Sequence, residues 1–207
     1  MYIFARSRAI NPANGRAAHA VAVEAGVRAS DLSGIPIFVW STIFSANGPA
    51  VFWSARLDHL ADALAADDTI FGDEGFAQWA EDNDALFLGS PSDVISQVVH
   101  GAPTGPPKSY VQLTQAVLAN GSGSEGMGFA IEFAETATRI TGVDAMVVTP
   151  VTGPYGAVGW ISTVDDLAEV EAANAALAAS DEWLKLVDRG GHAFAPGATT
   201  SMARRIG

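Results

Sequence analysis

The chain carries one pattern twice, and that repetition limits its architecture more than anything else in it. Tyr2, Gly34 and Gly48 recur 108 positions later as Tyr110, Gly142 and Gly156. One residue then drops out. Ala50-Val51, Trp53, Asp58 and Leu60 recur 107 positions on as Ala157-Val158, Trp160, Asp165 and Leu167. Alanine and glycine matches mean little in so alanine-rich a sequence. Tryptophan, tyrosine and aspartate matches held in one register mean more. A chain of 207 residues could hold one large domain or two of about 100 residues. The repeat favours two: residues 1–101, a proline-rich linker at 102–108, and residues 109–207.

Within each half, the punctuation predicts the same order of elements. Residues 2–10 alternate and stop at Asn11-Pro12, which reads as a strand. Residues 15–30 form a helical stretch closed near Gly34. Ile35–Phe44 and Ala50–Leu57 are rich in aromatic and β-branched residues. Asn47-Gly48 between them is a hairpin signal. Residues 58–66 and the surroundings of Trp79 read as helical, and Asp93–His100 as a final strand. Asp58 and Asp165 each follow a strand and are expected to cap the helix that comes next. The second half gives strands at Ser109–Ala119, Ala145–Val151, Ala157–Val164 and Thr200–Ile206. Its helices are expected at Gly128–Ile140, Asp165–Ala179 and after Ser180. Strand, helix, strand, strand, helix, strand is the ferredoxin-like split unit. One such unit leaves a sheet face bare, and two in one chain can bury both faces. The expected class is therefore α+β: two tandem ferredoxin-like (β-α-β-β-α-β) units whose antiparallel sheets form an α/β barrel.

Composition narrows the function classes. The first 101 residues hold 5 basic and 12 acidic side chains, and the rest hold 6 and 11. A negative field of this size repels phosphate backbones, so nucleic acid is not an expected partner. No run of about 18 apolar residues suggests a membrane span, and the first eight residues lack the pattern of a secretory signal. Cysteine is absent, which removes disulfides, thiolate metal ligands and cysteine nucleophiles together. These features fit a cytoplasmic protein, and the surplus of alanine and aspartate over lysine suggests a GC-rich bacterial source.

Few motifs point to chemistry. Gly121-Ser-Gly-Ser-Glu-Gly126 matches the dinucleotide pattern literally. Yet Asp144 would open the next strand rather than end it, and a hairpin follows where a crossover helix belongs. The segment therefore reads as a strand-to-helix connection, and no nicotinamide or flavin is expected there. His19, His59, His100 and His192 show no metal-ligand spacing. The acidic clusters near Asp67, Asp73 and Glu81 do not fit a calcium loop. No metal is expected. Arg6 and Arg8 are more informative. Alternation places them on one face of the first strand with Tyr2 and Phe4. Either they line a cavity and bind an anionic or carbonyl ligand, or they pair with carboxylates at a sheet end. Their counterparts, Thr114 and Ala116, are neutral, so a site built on them would be confined to the first half. Trp53 repeats as Trp160, which argues that both are packed; Trp53 would also line such a cavity.

In layout the chain resembles the dimeric α/β-barrel superfamily in its tandem, fused form. The end of each half resembles the NIPSNAP and antibiotic-biosynthesis-monooxygenase-like branches: Trp79–Gly89 before Asp93–His100, and Trp183–Gly197 before Thr200–Ile206. The resemblance implies a small-molecule enzyme or binding protein, similar to cofactor-independent monooxygenases, with its ligand in the barrel cavity. In such oxygenases a substrate carbanion reacts directly with oxygen. It carries over no catalytic residue. It implies no cofactor, haem being the alternative with His100 or His192 as axial ligand. The partners it implies are a small molecule and, in a homo-oligomer, further copies of the chain. The competing reading is a non-catalytic assembly protein that uses the fold as a rigid block.

Overall fold

A computed structural model describes residues 1–45, 48–103 and 105–207. The strands are β1 (Tyr2–Ile10), β2 (Ile37–Ile43), β3 (Ala50–Leu57), β4 (Phe87–His100), β5 (Tyr110–Val117), β6 (Ala145–Pro150), β7 (Ala157–Val164) and β8 (Thr199–Arg205). The helices are α1 (Gly15–Ser33), α2 (Leu60–Gly72), α3 (Glu74–Asp82), α4 (Gly123–Thr141), α5 (Leu167–Ala178) and α6 (Asp181–Gly190). Hydrogen bonding joins the strands in the order β1-β3-β2-β8-β5-β7-β6-β4, and the ring closes as an antiparallel barrel. The fold is thus α+β, as the punctuation of the sequence predicts.

The chain divides into two compact units, the first discontinuous and the second one unbroken stretch. The first comprises Met1–Ser96 with Ala203–Gly207, the second Gln97–Met202. Each last strand therefore begins in one unit and ends in the other. In the first unit, β3 lies between β1 and β2, with Arg6 opposite Trp53 and Val39 opposite Trp53 on its other side. The carbonyl of Val39 accepts from the backbone of Ile206 at 2.8 Å, and its N–H donates to Gly207 at 2.9 Å. In the second unit, β7 lies between β5 and β6, with Thr114 opposite Trp160.

The same local solutions appear in both units. Ala18, Ala22, Val39 and Val51 pack with Ile10 under α1. Ala130, Ala134, Val147 and Val158 pack with Ala116 under α4. Alanine on the helix lets its backbone come close to the sheet. That closeness lets the Trp53 indole N–H donate to the carbonyl of Ala22 at 2.8 Å, and the Trp160 indole to that of Ala130 at 2.8 Å. Both helices end at a left-handed glycine, Gly34 and Gly142. The exits match too: Ser30 and Thr138 accept from the first residue of the next strand, Ile37 and Ala145.

Three expectations need correction or extension. Asp58 and Asp165 do not cap their helices. The caps are one residue later, at His59 and Asp166, which hold the extended backbone a cap requires. Each forms a reciprocal box with the acid three residues on, Asp62 and Glu169. The Asp166 carboxylate accepts from Ala168 at 2.9 Å. We expect Asp166→Ala to cost about 1 kcal/mol in denaturant unfolding and Asp165→Ala almost nothing; equal losses would contradict the one-residue shift. Strand β4 begins at Phe87, six residues before the expected start at Asp93. Helix α4 begins at Gly123, so the last four of the six motif residues are helical. Gly126 is needed there because a Cβ would meet Leu118 at 2.5 Å and the carbonyl of Ala193 at 3.3 Å. The hairpin signal at Asn47-Gly48 falls partly outside the described residues; Gly48 itself has φ +82°.

Candidate functional site: a cavity in each unit

Each unit has a half-open hollow between its sheet and its helices. In the first unit it measures about 190 Å³. Phe4, Arg6, Arg8 and Trp53 form its floor, with Phe76 and Trp79 of α3 opposite. The structure therefore brings the three sequence-predicted residues, Arg6, Arg8 and Trp53, to one cavity. Strand alternation aims Phe4, Arg6 and Arg8 to one side of β1, and pairing sets Arg6 beside Trp53 on β3.

The arginines also pair with carboxylates. Arg6 grips Asp93 through Nε at 2.8 Å and Nη2 at 2.7 Å, and Nη2 also reaches Asp67 at 3.2 Å. Its guanidinium lies 5.0 Å from the Phe71 ring. The hydrogen bond to Asp93 holds the Arg6 guanidinium above its ordinary pKa, against the lowering effect of burial. Arg8 donates to Asp84 at 2.7 Å and to the carbonyl of Gly89 at 2.8 Å, and stands 4.9 Å over Phe87. The guanidinium heads are paired with carboxylates, and the same side chains line the hollow. Three carboxylates surround two guanidinium groups, so the site has no spare positive charge for a bare anion. Nη1 of Arg6 makes no hydrogen bond to any described residue, and Asp67 is the one carboxylate in the lining. The cavity can offer a donor to a carbonyl and a base beside it. The sequence could not show the carboxylate partners, which lie 61 to 87 positions away in the chain.

The second unit has a larger hollow, about 690 Å³. Gln112, Thr114 and Ala116 of β5 stand where Phe4, Arg6 and Arg8 stand in β1. Trp160 and Ser162 replace Trp53 and Ala55. The β5 side chains at these positions are the smaller ones. The second cavity has no charged residue in its lining, and it is the roomier of the two.

The histidines stand apart from both linings. His192 is 61% exposed and meets Glu125 at 3.3 Å, while His100 meets Glu135 at 3.8 Å. His19 bridges the Gly15 carbonyl and the Ser41 hydroxyl at 2.7 Å each. No histidine, methionine or tyrosine lines either hollow, so the residues present do not fit a haem held by an axial side chain. Among the described residues, no group of three or more metal-ligating side chains could hold a metal ion. Nor is any helix among them long and apolar enough to cross a membrane.

The fold is that of the dimeric α/β-barrel proteins. A candidate monooxygenase from Fusobacterium nucleatum superposes with a TM-score of 0.70 at 8% identity, over 100% of this chain and 92% of the other. A second candidate monooxygenase, from Lactobacillus acidophilus, gives 0.65 at 10% identity, over 99% and 93%. An anthrone oxidase-like protein gives 0.63 at 13% identity, over 100% and 91%. No family model matches the chain, and no curated protein matches it in sequence. At these identities the likeness is one of fold.

Proposed function

We propose that the protein is a small-molecule enzyme or binder of the monooxygenase-like type, acting without a cofactor, with its ligand in the Arg6–Arg8–Trp53 cavity. The observation that carries this reading is the meeting of these three residues and Asp67 at one hollow. A filled apolar interface there would have favoured the assembly-protein alternative. The hollow is slightly larger than the ~150 Å³ that holds a benzene-sized molecule, so a single substituted ring suits it. A ring ketone would lay its face against Trp53 and its oxygen toward Arg6 Nη1. Asp67 would take a proton from the carbon beside the carbonyl, and Arg6 would steady the oxyanion that forms. That carbanion could react directly with oxygen: a CH2 group and O2 give a C=O group and water. A homo-oligomer and a cytoplasmic setting belong to the same proposal.

The test is ligand-observed NMR with acetophenone, together with oxygen uptake on ring carbon acids. Arg6→Ala and Arg8→Ala should each weaken binding about ten- to a hundredfold, equivalent to about 1.5–3 kcal/mol for a charge-assisted hydrogen bond. Thr114→Ala should change nothing. Equal binding by all three variants would reject the reading.

A further inference from the structure

We infer that the second unit holds a separate binding site, for a neutral molecule of several rings with hydrogen-bonding groups along one edge. The first observation is size. At about 690 Å³ the hollow lies within the ~300–1,000 Å³ range of small-molecule pockets, where the first unit's falls short. It is several times the ~150 Å³ that holds benzene.

The second observation is charge. The chain carries a net charge of −12, yet no Asp, Glu, Lys, Arg or His lines this hollow. An ion entering it would lose water without meeting a side chain of opposite charge. A proton-transfer reaction would find no titratable side chain in the lining. The site therefore binds rather than performs acid–base chemistry, in contrast to the first unit with its Arg6 and Asp67.

The third observation is unused hydrogen-bonding capacity. Thr114 and Thr200 satisfy each other at 3.0 Å. The side chains of Gln112, Ser162 and Asn174 line the hollow and bond to no described residue. Gln112 and Ser162 face each other across β5 and β7, which forms one polar edge; Asn174 of α5 adds a second amide from the helix side. Trp160, Trp183, Phe133 and Phe194 supply flat apolar walls, with Phe133 5.7 Å from Trp183 and Phe194 5.7 Å from Trp160. Ring walls with a few free amides and hydroxyls select an uncharged, flat, partly polar guest.

The test uses Nile red, a neutral four-ring dye with a carbonyl, and anilinonaphthalene sulfonate, an anionic dye, on the intact chain. Nile red should bind saturably, with rising dye fluorescence and quenching of tryptophan emission; the anionic dye should bind at least about tenfold more weakly, or about 1.4 kcal/mol. Thr114→Arg, which installs the first unit's residue, should lower Nile red affinity by more than about tenfold. Asn174→Leu lies at an exposed helical position and should lower it severalfold without disturbing the fold; it decides the matter if Thr114→Arg fails to fold. Arg6→Ala and Arg8→Ala should leave Nile red binding unchanged, so this site can fail or stand apart from the first. No saturable binding, equal affinity for the anionic dye, or indifference to both second-unit substitutions would overturn the inference.

Discussion

Trp53→Ala and Trp160→Ala should each lower the unfolding free energy by about 3–5 kcal/mol, nearer the lower figure because each indole also borders a hollow. Both rings stand on the middle strand of their unit and donate to the first helix of that unit at 2.8 Å. Truncation removes the largest plate between sheet and helix and widens a space already present. Trp→Phe at either position keeps most of the buried area and should cost about 1 kcal/mol for the lost hydrogen bond, plus a packing term. Urea unfolding followed by circular dichroism would measure both. If Trp53→Ala were costly and Trp160→Ala harmless, the matching roles assigned to the two rings would be wrong.

The second large effect is expected at Gly101. Its φ is +72°, and a Cβ there would lie 2.7 Å from the carbonyl oxygen of Ala145 and 3.1 Å from Met146 Cα. Backbone cannot swing aside as a side-chain tip can. Gly101→Ala should therefore cost about 1–2 kcal/mol for the left-handed conformation and about 1–3 kcal/mol for overpacking, or about 2–5 kcal/mol together. Gly142 has nearly the same φ, +71°, but open space around it. Gly142→Ala should show the conformational part alone. The difference between the two measures the crowding at the end of β4, and no difference would mean that β4 does not end against β6.

Much of this was legible because physics reuses its solutions. The left-handed glycines, the helix alanines and the two tryptophans each answer a local need that arises in both units, so each appears twice in the sequence. What was not legible depends on distance along the chain. Arg6 and Arg8 could be placed on one face by counting, but Asp84, Asp67 and Asp93 reach them through loops whose course no pattern of alternation records. The cap was misplaced because Asp58-His59 and Asp165-Asp166 both offer two side chains able to accept, and only backbone angles decide between them. Strand β4 starts before Asp93 although Gly89 and Pro91 are residues that strands disfavour. The difference in charge between the two linings was written in the sequence, in Arg6 and Arg8 against Thr114 and Ala116. Reading it required knowing that these positions face a space.

The route of the last strand bears on how the protein is made. Ile206 and Gly207 bond to Val39, and Ile206 packs on the Ile10–Val51 core. During synthesis, the first 96 residues leave the ribosome long before Ala203–Gly207. Until those arrive, the β2 edge has no partner there and stands open to wrong pairing. The second unit lacks no such late piece from outside its own span. It should therefore complete first, although it is made second, and the nascent first unit is the stage at which a chaperone would be needed.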